Sequence, residues 1–401
     1  MADSYNYIPN WPAGETTSHW PLYRQYLQRI INTNYGFGQQ GFNYLGGTAV
    51  NTAYYGSVLA PNGRIYFIPY SQCTATVWHY MDIATGLIVP YTHSATVIVA
   101  AYNGGILAPN GKIYLLPCNA TSSAIWHYID TITGTVGAYT HGISVVSAAY
   151  QGGALAPNGR IYLSPSLQSN ATSGVWHYIN TTDNSVVAYT HGATCAPAAY
   201  AGAVLSPGTT SSSNGRIYLT PYVQAGQSLW HYIDVVTGSV VAYSKGSAPG
   251  IVNYGLGGVL APNNKLYLIP GFQSSTATIW HYINTLTGSV VAYTHGATVV
   301  DNCYYSGVLA PNGRIYLIPQ AQSTAVQWHY IDTMTNSVVA YSHMLSGISA
   351  QGYVGGTLAP NGKIYMAPYQ QATVATWHYI NTYCCELFNA NICESPFLNK
   401  L

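Results

Sequence analysis

The sequence is poor in charge. Of its 401 residues only 5% are charged, eleven basic and ten acidic, giving a formal net charge of +1, where an ordinary soluble domain carries about 25%. This scarcity argues against a broad electrostatic field for nucleic acid or an anionic membrane surface. It leaves the surface to Ser, Thr, Asn, Gln and Tyr, and it lets copies approach one another with little repulsion. No stretch approaches 18 consecutive apolar residues, so a membrane-spanning helix is not expected. The opening residues, Met1 to Pro9, lack a basic region followed by an apolar run, which makes synthesis in the cytosol without a signal peptide the expectation. Seven cysteines, an odd number at unmatched places, make no disulfide framework. Acids are too few for an obvious catalytic pair. Asp3, Glu15, Glu386 and Glu394 lie near the ends, four more Asp share one repeat position, and only Asp183 and Asp301 remain. Two converging carboxylates for glycoside hydrolysis are therefore hard to find. A nucleophile–base–acid set, a Gly-rich phosphate loop and a Cys-x-x-Cys pair are all missing.

What the sequence has in quantity is repetition. The phrase Leu-Ala-Pro-Asn-Gly-(Arg/Lys)-Ile-Tyr begins at Leu59, Leu107, Leu155, Leu309 and Leu358, with altered copies at Leu205 and Leu260. Trp-His-Tyr follows at Trp78, Trp126, Trp176, Trp230, Trp280, Trp328 and Trp377, spaced 48, 50, 54, 50, 48 and 49 residues apart. A period of that size marks stacked supersecondary units within one body. Each copy divides into four short strands. In the second they are Gly104–Ala108, Lys112–Pro117, Ala124–Ile129 and Thr135–Thr140, with Asn110-Gly111 turning the first pair and Thr133-Gly134 the last. The second and third strands are nearly continuous apolar runs, as in sheets covered on both faces, and the small residues of the first suit a crowded axis. The expected fold is all-β, a seven-bladed β-propeller of four-stranded antiparallel blades.

The seventh copy stops after Asn381 without a fourth strand. Sliding the sixth copy back sets Gly288–Gly296 over Gly38–Gly46, so Gln40–Leu45 is predicted to complete the last blade and close the ring with an N-terminal strand. The expected divisions are an arm and helix over 1–37, the propeller over 38–383 and a tail over 384–401. The short N-terminal helix is read from about His19 to Asn32, capped by Ser18, with Trp20, Tyr23, Leu27, Ile30 and Ile31 on one stripe. That stripe can dock on its own propeller or bind a partner. Gly208–Ser213 lengthens the fourth copy's Asn-Gly hairpin.

Candidate functional residues come largely from the repeat. Seven cations share one position: Arg64, Lys112, Arg160, Arg216, Lys265, Arg314 and Lys363. Antiparallel pairing sets them against Asp82, Asp130, Asn180, Asp234, Asn284, Asp332 and Asn381, so a structural ladder of exposed pairs is favoured over an anion site. The seven histidines of Trp-His-Tyr, and the five that end fourth strands, sit in different blades and are not expected to hold a metal. Tyr hydroxyl or backbone groups are their expected partners. The 39 tyrosines are mainly core, although exposed ones beside Asn and Gln could stack on sugars. Cys384, Cys385 and Cys393 are expected as free thiols, a local disulfide or a zinc trap being the alternatives.

The Gly-Gly doublets at Gly104, Gly152, Gly257 and Gly355, each followed by a Tyr and a Trp, resemble the kelch type of propeller. The repeated phrase is also similar to repeats in uncharacterised proteins of large DNA viruses and some protists, over roughly residues 38 to 382. With the low charge and the missing catalytic set, the resemblance leads to a non-enzymatic structural or interaction protein. The expectation is a virion or surface-assembly subunit of a large DNA virus, partnered by copies of itself or other virion proteins. The alternative is a multivalent lectin binding glycans through similar interblade loops. An enzyme dependent on Asp183 or Asp301 is a third reading. No cofactor, metal or nucleic-acid partner is expected.

Overall fold

The computed structural model describes residues 42–43, 49–119, 123–143, 145–170, 174–206, 215–248, 254, 257–272 and 275–382. Seven antiparallel sheets follow one another around an axis. The first blade comprises Tyr54–Leu59, Arg64–Pro69, Val77–Asp82 and Leu87–Thr92, ordered from the axis outward. In the second blade the strands are Tyr102–Leu107, Lys112–Pro117, Ile125–Asp130 and Val136–Thr140, within two residues of the sequence reading. The remaining blades begin at Tyr150, Tyr200, Gly258, Tyr304 and Tyr353. Among the described residues, no helix is long and apolar enough to cross a membrane.

Chain direction gives the disc two faces. One carries the Asn-Gly hairpins and the turns between third and fourth strands, and is called the hairpin face below. The other carries the 3-10 turns after each second strand and the segments crossing to the next blade, and is called the crossover face.

The core lies between blades. All seven repeat tryptophans are fully buried. Trp377 of the last blade meets Tyr54 and Phe67 of the first, with ring centroids 6.1 and 5.3 Å away. The same seam carries a Ser57–Thr357 hydroxyl contact of 2.7 Å across 300 residues of sequence. On the hairpin face the Asn-Gly turns of the first, second and sixth blades clamp the blade that follows: Asn62 Nδ2 donates to the Thr131 carbonyl at 2.7 Å, Asn110 to Thr181 at 2.7 Å, and Asn312 to Thr382 at 2.8 Å.

Ring closure departs from the sequence reading in register. Phe42–Asn43 pairs antiparallel with Thr376–Trp377, so the N-terminal segment does complete the seventh blade. Phe42 faces Trp377, the place that Tyr293 takes opposite Trp280. The predicted alignment put Phe42 at the place of Ala292, one residue away. A slip of one residue exchanges the two faces of a strand, and an alignment anchored on the repeat proline, Pro311 over Pro61, does not fix register beyond the intervening crossover segment. Of Gln40–Leu45 only these two residues lie within the described chain. The helix with Trp20, Tyr23, Leu27 and Ile30, most of the Gly208–Ser213 insertion and hairpin, and the tail with Cys384, Cys385 and Cys393 lie outside the described residues.

Candidate binding site at the axial mouth

The repeated cations are engaged on the hairpin face. The register sets Arg64 opposite Asp82, Lys112 opposite Asp130, Arg216 opposite Asp234 and Arg314 opposite Asp332. Each cation reaches diagonally over a third-strand ring: Arg64 lies 4.3 Å from the Tyr80 centroid and Lys112 4.1 Å from that of Tyr128, and the pattern repeats in all seven blades. Such contacts are worth about 0.5–1 kcal/mol at exposed sites. The carboxylates serve their own turns. Asp82 Oδ1 accepts from the Ala84 and Thr85 amides at 3.1 and 3.0 Å, and Asn284 Oδ1 does the same for Leu286 and Thr287 at 3.0 and 3.3 Å. An amide oxygen can replace a carboxylate in that role, which explains why Asp and Asn interchange there.

The histidines are structural in their contacts. Each Trp-His-Tyr imidazole takes the hydroxyl of the tyrosine at or just before the start of its blade's first strand, Tyr102 with His127 at 2.6 Å and Tyr304 with His329 at 2.6 Å among them. Tyr54–His79, Tyr150–His177 and Tyr353–His378 repeat the pair. Burial pushes His79, His177, His231 and His329 down to about 4. Fourth-strand histidines pack on the tryptophans, His93 at 4.0 Å from Trp78, while His93 Nε2 meets the Ala75 carbonyl at 2.9 Å. In the fourth blade Lys245 Nζ donates instead to a carbonyl within that blade's 3-10 turn, that of Ala225, at 2.9 Å.

The two acids outside the repeat position lie on opposite faces. Asp183 belongs to the third blade's outer turn, where Ser185 holds its carboxyl below the usual range. Asp301 lies in the segment crossing to the sixth blade and accepts from the Ser275 amide. The structure does not bring them together.

Residues unlike the rest of the repeat converge around the axis on the crossover face. Most first strands bulge near their start: Tyr150 faces Pro165 and Gly152 faces Ser164, leaving Gln151 as the extra residue. A bulge re-aims the side chain it carries. Its occupants are Asn103, Gln151 and Ala201 in the second to fourth blades, Tyr305 and Val354 in the sixth and seventh, and Tyr55 in the first. The residue after each second-strand proline varies equally, as Tyr70, Cys118, Ser166, Tyr222, Gly271, Gln320 and Tyr369.

The aromatic residues at these positions, with Phe272 beside Gly271, build an arc of rings. Tyr222 stands 5.0 Å from Phe272, Phe272 5.2 Å from Tyr305, and Tyr305 6.5 Å from Tyr55. Tyr55 in turn lies 5.0 Å from Tyr70 and 5.8 Å from Tyr369. Burial and the neighbouring phenols hold Tyr55 well above the usual phenol range, and burial pushes Tyr305 up to about 12. Asn103, Gln151, Cys118 and Ser166 complete the circle on the second and third blades.

Beneath the rings, first strands meet backbone to backbone. A Cβ on Gly355 would lie 2.9 Å from the Gly56 Cα, and one on Gly152 3.0 Å from that of Gly202. The axial cavity is about 30 Å³, room for about one or two waters. Ser306 replaces the glycine of the other blades there, and its hydroxyl is buried without a protein partner.

Charge divides between the faces. Among the described residues twelve formal charges lie on the hairpin face, the seven repeated cations with Asp82, Asp130, Asp183, Asp234 and Asp332, whereas the crossover face has Lys245 and Asp301. Exposed apolar side chains occur on both. Ile132, Val236, Leu286 and Met334 sit at equivalent outer turns of the hairpin face, 82, 58, 53 and 59% exposed; Val326 and Met344 stand on the crossover face.

Sequence reasoning found the rings of cations and histidines but missed the axial mouth. The signal was present as departures from the repeat immediately after each Pro and before each Gly doublet.

No protein-family model matches the chain, so the kelch resemblance does not reach family level, and no curated protein sequence matches it. Solved structures share the fold. A chain of the mitotic checkpoint complex matches at 10% identity and a TM-score of 0.55, over 88% of this chain and 94% of its own. The extracellular domain of a putative hybrid two component system from B. thetaiotaomicron matches at 11% and 0.58, over 88% of this chain and 44% of its own. The WD40 repeats of RRP9 match at 9% and 0.54, over 86% and 97%. At these identities the likeness is one of β-propeller architecture.

Proposed function

We propose that this chain is a non-enzymatic interaction protein and a structural subunit of a surface assembly, a virion of a large DNA virus being the setting its repeat resembles. Its partner on the hairpin face is a neighbouring copy of the same chain. The observation that carries the reading is the set of exposed apolar tips at Ile132, Val236, Leu286 and Met334 on one face. The chain outside the propeller joins at that face: Thr382 lies there, and Phe42–Asn43 approaches from the same side because it runs antiparallel to the third strand. The segments over 1–37, with Trp20, Tyr23, Leu27 and Ile30, and over 384–401 are proposed to engage that neighbour.

Sedimentation and electron microscopy of the full chain test the reading. The native chain is expected to assemble, and Ile132→Glu with Met334→Glu to leave a folded monomer of unchanged melting temperature. A native chain that stays monomeric at high concentration, or a variant that assembles like its parent, rejects it.

A second reading, glycan binding, is supported by the aromatic arc on the opposite face. Aromatic faces stack on the apolar faces of sugar rings while phenols and amides meet hydroxyls. Binding in a broad neutral-glycan array is the expected result; a blank array removes it.

A further inference from the structure

We propose that the axial mouth of the crossover face is a single binding site for a neutral saccharide, formed by Tyr55, Tyr70, Tyr222, Phe272, Tyr305 and Tyr369. This rests on the glycan-binding reading and relocates it, from seven similar interblade loops to one asymmetric site on the axis.

Three observations point to this ligand class. The rings form a continuous arc across the fourth to first blades, with successive centroids 5.0 to 6.5 Å apart. A stacking surface of that kind suits a ligand with an apolar face. The opposite arc is polar, with Gln151 on the third blade, and the buried Ser306 hydroxyl below lacks a protein partner. Hydrogen-bonding capacity without a partner calls for a hydroxylated ligand or the water that such a ligand displaces.

Charge selects further. The face has only Lys245 and Asp301 among its described residues, and both are tied to backbone groups. Nothing at the mouth would offset the desolvation of a phosphate, sulfate or carboxylate. The phenols stay protonated donors at physiological pH, since burial raises Tyr70 and Tyr369 above their ordinary value as well. A bare apolar peptide would offer nothing to Ser306, so a neutral sugar fits the site better.

The site is built by departure from the repeat. Each blade supplies the same two places, the bulge and the residue after the second-strand proline. Aromatic residues fill both in the first blade and one of the two in the fourth, sixth and seventh, the fifth adds Phe272 beside Gly271, and small or amide residues fill them in the second and third. One orientation of a chain-like ligand is thereby distinguished from the other six.

Titration calorimetry of the full chain with maltohexaose, cellohexaose and chitohexaose, alongside heparin hexasaccharide, tests the proposal. Expected are binding of at least one neutral hexasaccharide at one site per chain and no binding of heparin. Tyr70→Ala with Tyr369→Ala should weaken it tenfold or more, with melting unchanged to show that the fold persists. Tyr222→Ala, in another blade, should weaken it as well. No binding of any neutral hexasaccharide, with a blank glycan array, overturns both the site and the glycan reading. Binding that survives the tyrosine changes, or that titrates to seven sites, overturns the axial site and leaves glycan binding standing.

Discussion

The buried glutamines of the 3-10 turns show how one side chain can hold three segments together. Gln322 is 2% exposed; its Nε2 donates to the Gln327 carbonyl at 3.0 Å and its Oε1 accepts from the Val300 amide at 2.9 Å. The second strand's exit, the third strand's entry and the incoming crossover are fixed at once. Gln72, Gln168, Gln224 and Gln371 repeat the arrangement. Removing the amide strands buried backbone groups, each costing about 1–3 kcal/mol. Gln322→Ala is therefore expected to destabilise the protein by about 2–3 kcal/mol in urea unfolding, while Gln227→Ala, on the exposed surface, should change little. This role was only half legible. Each of these glutamines recurs three residues after the proline, but in sequence it sits among Ser and Thr and reads as a solvated loop. For the cations, the cross-strand partners were legible and the ring contacts were not. Direct cross-strand neighbours follow from register, whereas Arg64 over Tyr80 is a diagonal contact that depends on sheet twist.

At the scale of the element, the first strand had the most readable composition and the least readable function. Its glycines announced a crowded axis, and the Cα of Gly56 leaves 2.9 Å for a Cβ on Gly355. Both atoms are backbone, so neither can rotate away. Gly355→Ala should force the seventh and first blades apart and cost more than about 2 kcal/mol, in the range of overpacked cores. Gly63→Ala is the comparison: nothing lies within 4 Å, but its φ of +76° leaves a strain, expected at about 1 kcal/mol. Equal losses in denaturant unfolding would show that backbone conformation, not close approach, makes the axial glycines necessary. The bulge in the same strand was invisible in sequence, because a strand and a bulged strand share one apolar pattern. It turned Tyr55 and Tyr305, which look like core residues, toward the axis. The closing strand shows the opposite case. Its existence followed from a missing fourth strand, while its register needed the pairing of Phe42 with Trp377.

Across the whole molecule, repetition multiplies small electrostatic effects into a large one. Burial lowers the pKa of six Trp-His-Tyr imidazoles, to about 4 for His79, His177, His231 and His329, and less far for His127 and His378. His93, His141, His191, His295 and His343 are lowered too, again by burial. In the unfolded chain these groups titrate near 6.5. Between that value and the folded one the unfolded chain binds more protons, so stability is complete above about pH 6.5 and falls as the pH drops toward 4. Each imidazole in that window contributes a slope of roughly 1.4 kcal/mol per pH unit. Carboxylates are fewer than these imidazoles, the described propeller having six Asp in all. The urea midpoint should therefore be flat near pH 7 to 8 and fall steeply between 6.5 and 4. Burial pushes the Cys73, Cys195 and Cys303 thiols up to about 12, so stability also falls above about pH 8.5, where the unfolded thiols ionise. His329→Gln should reduce the steepness even though it lowers the neutral-pH midpoint by disturbing the Tyr304 contact. A midpoint that holds to pH 4.5 and then collapses would assign acid unfolding to the carboxylates and leave the imidazoles solvated in the fold.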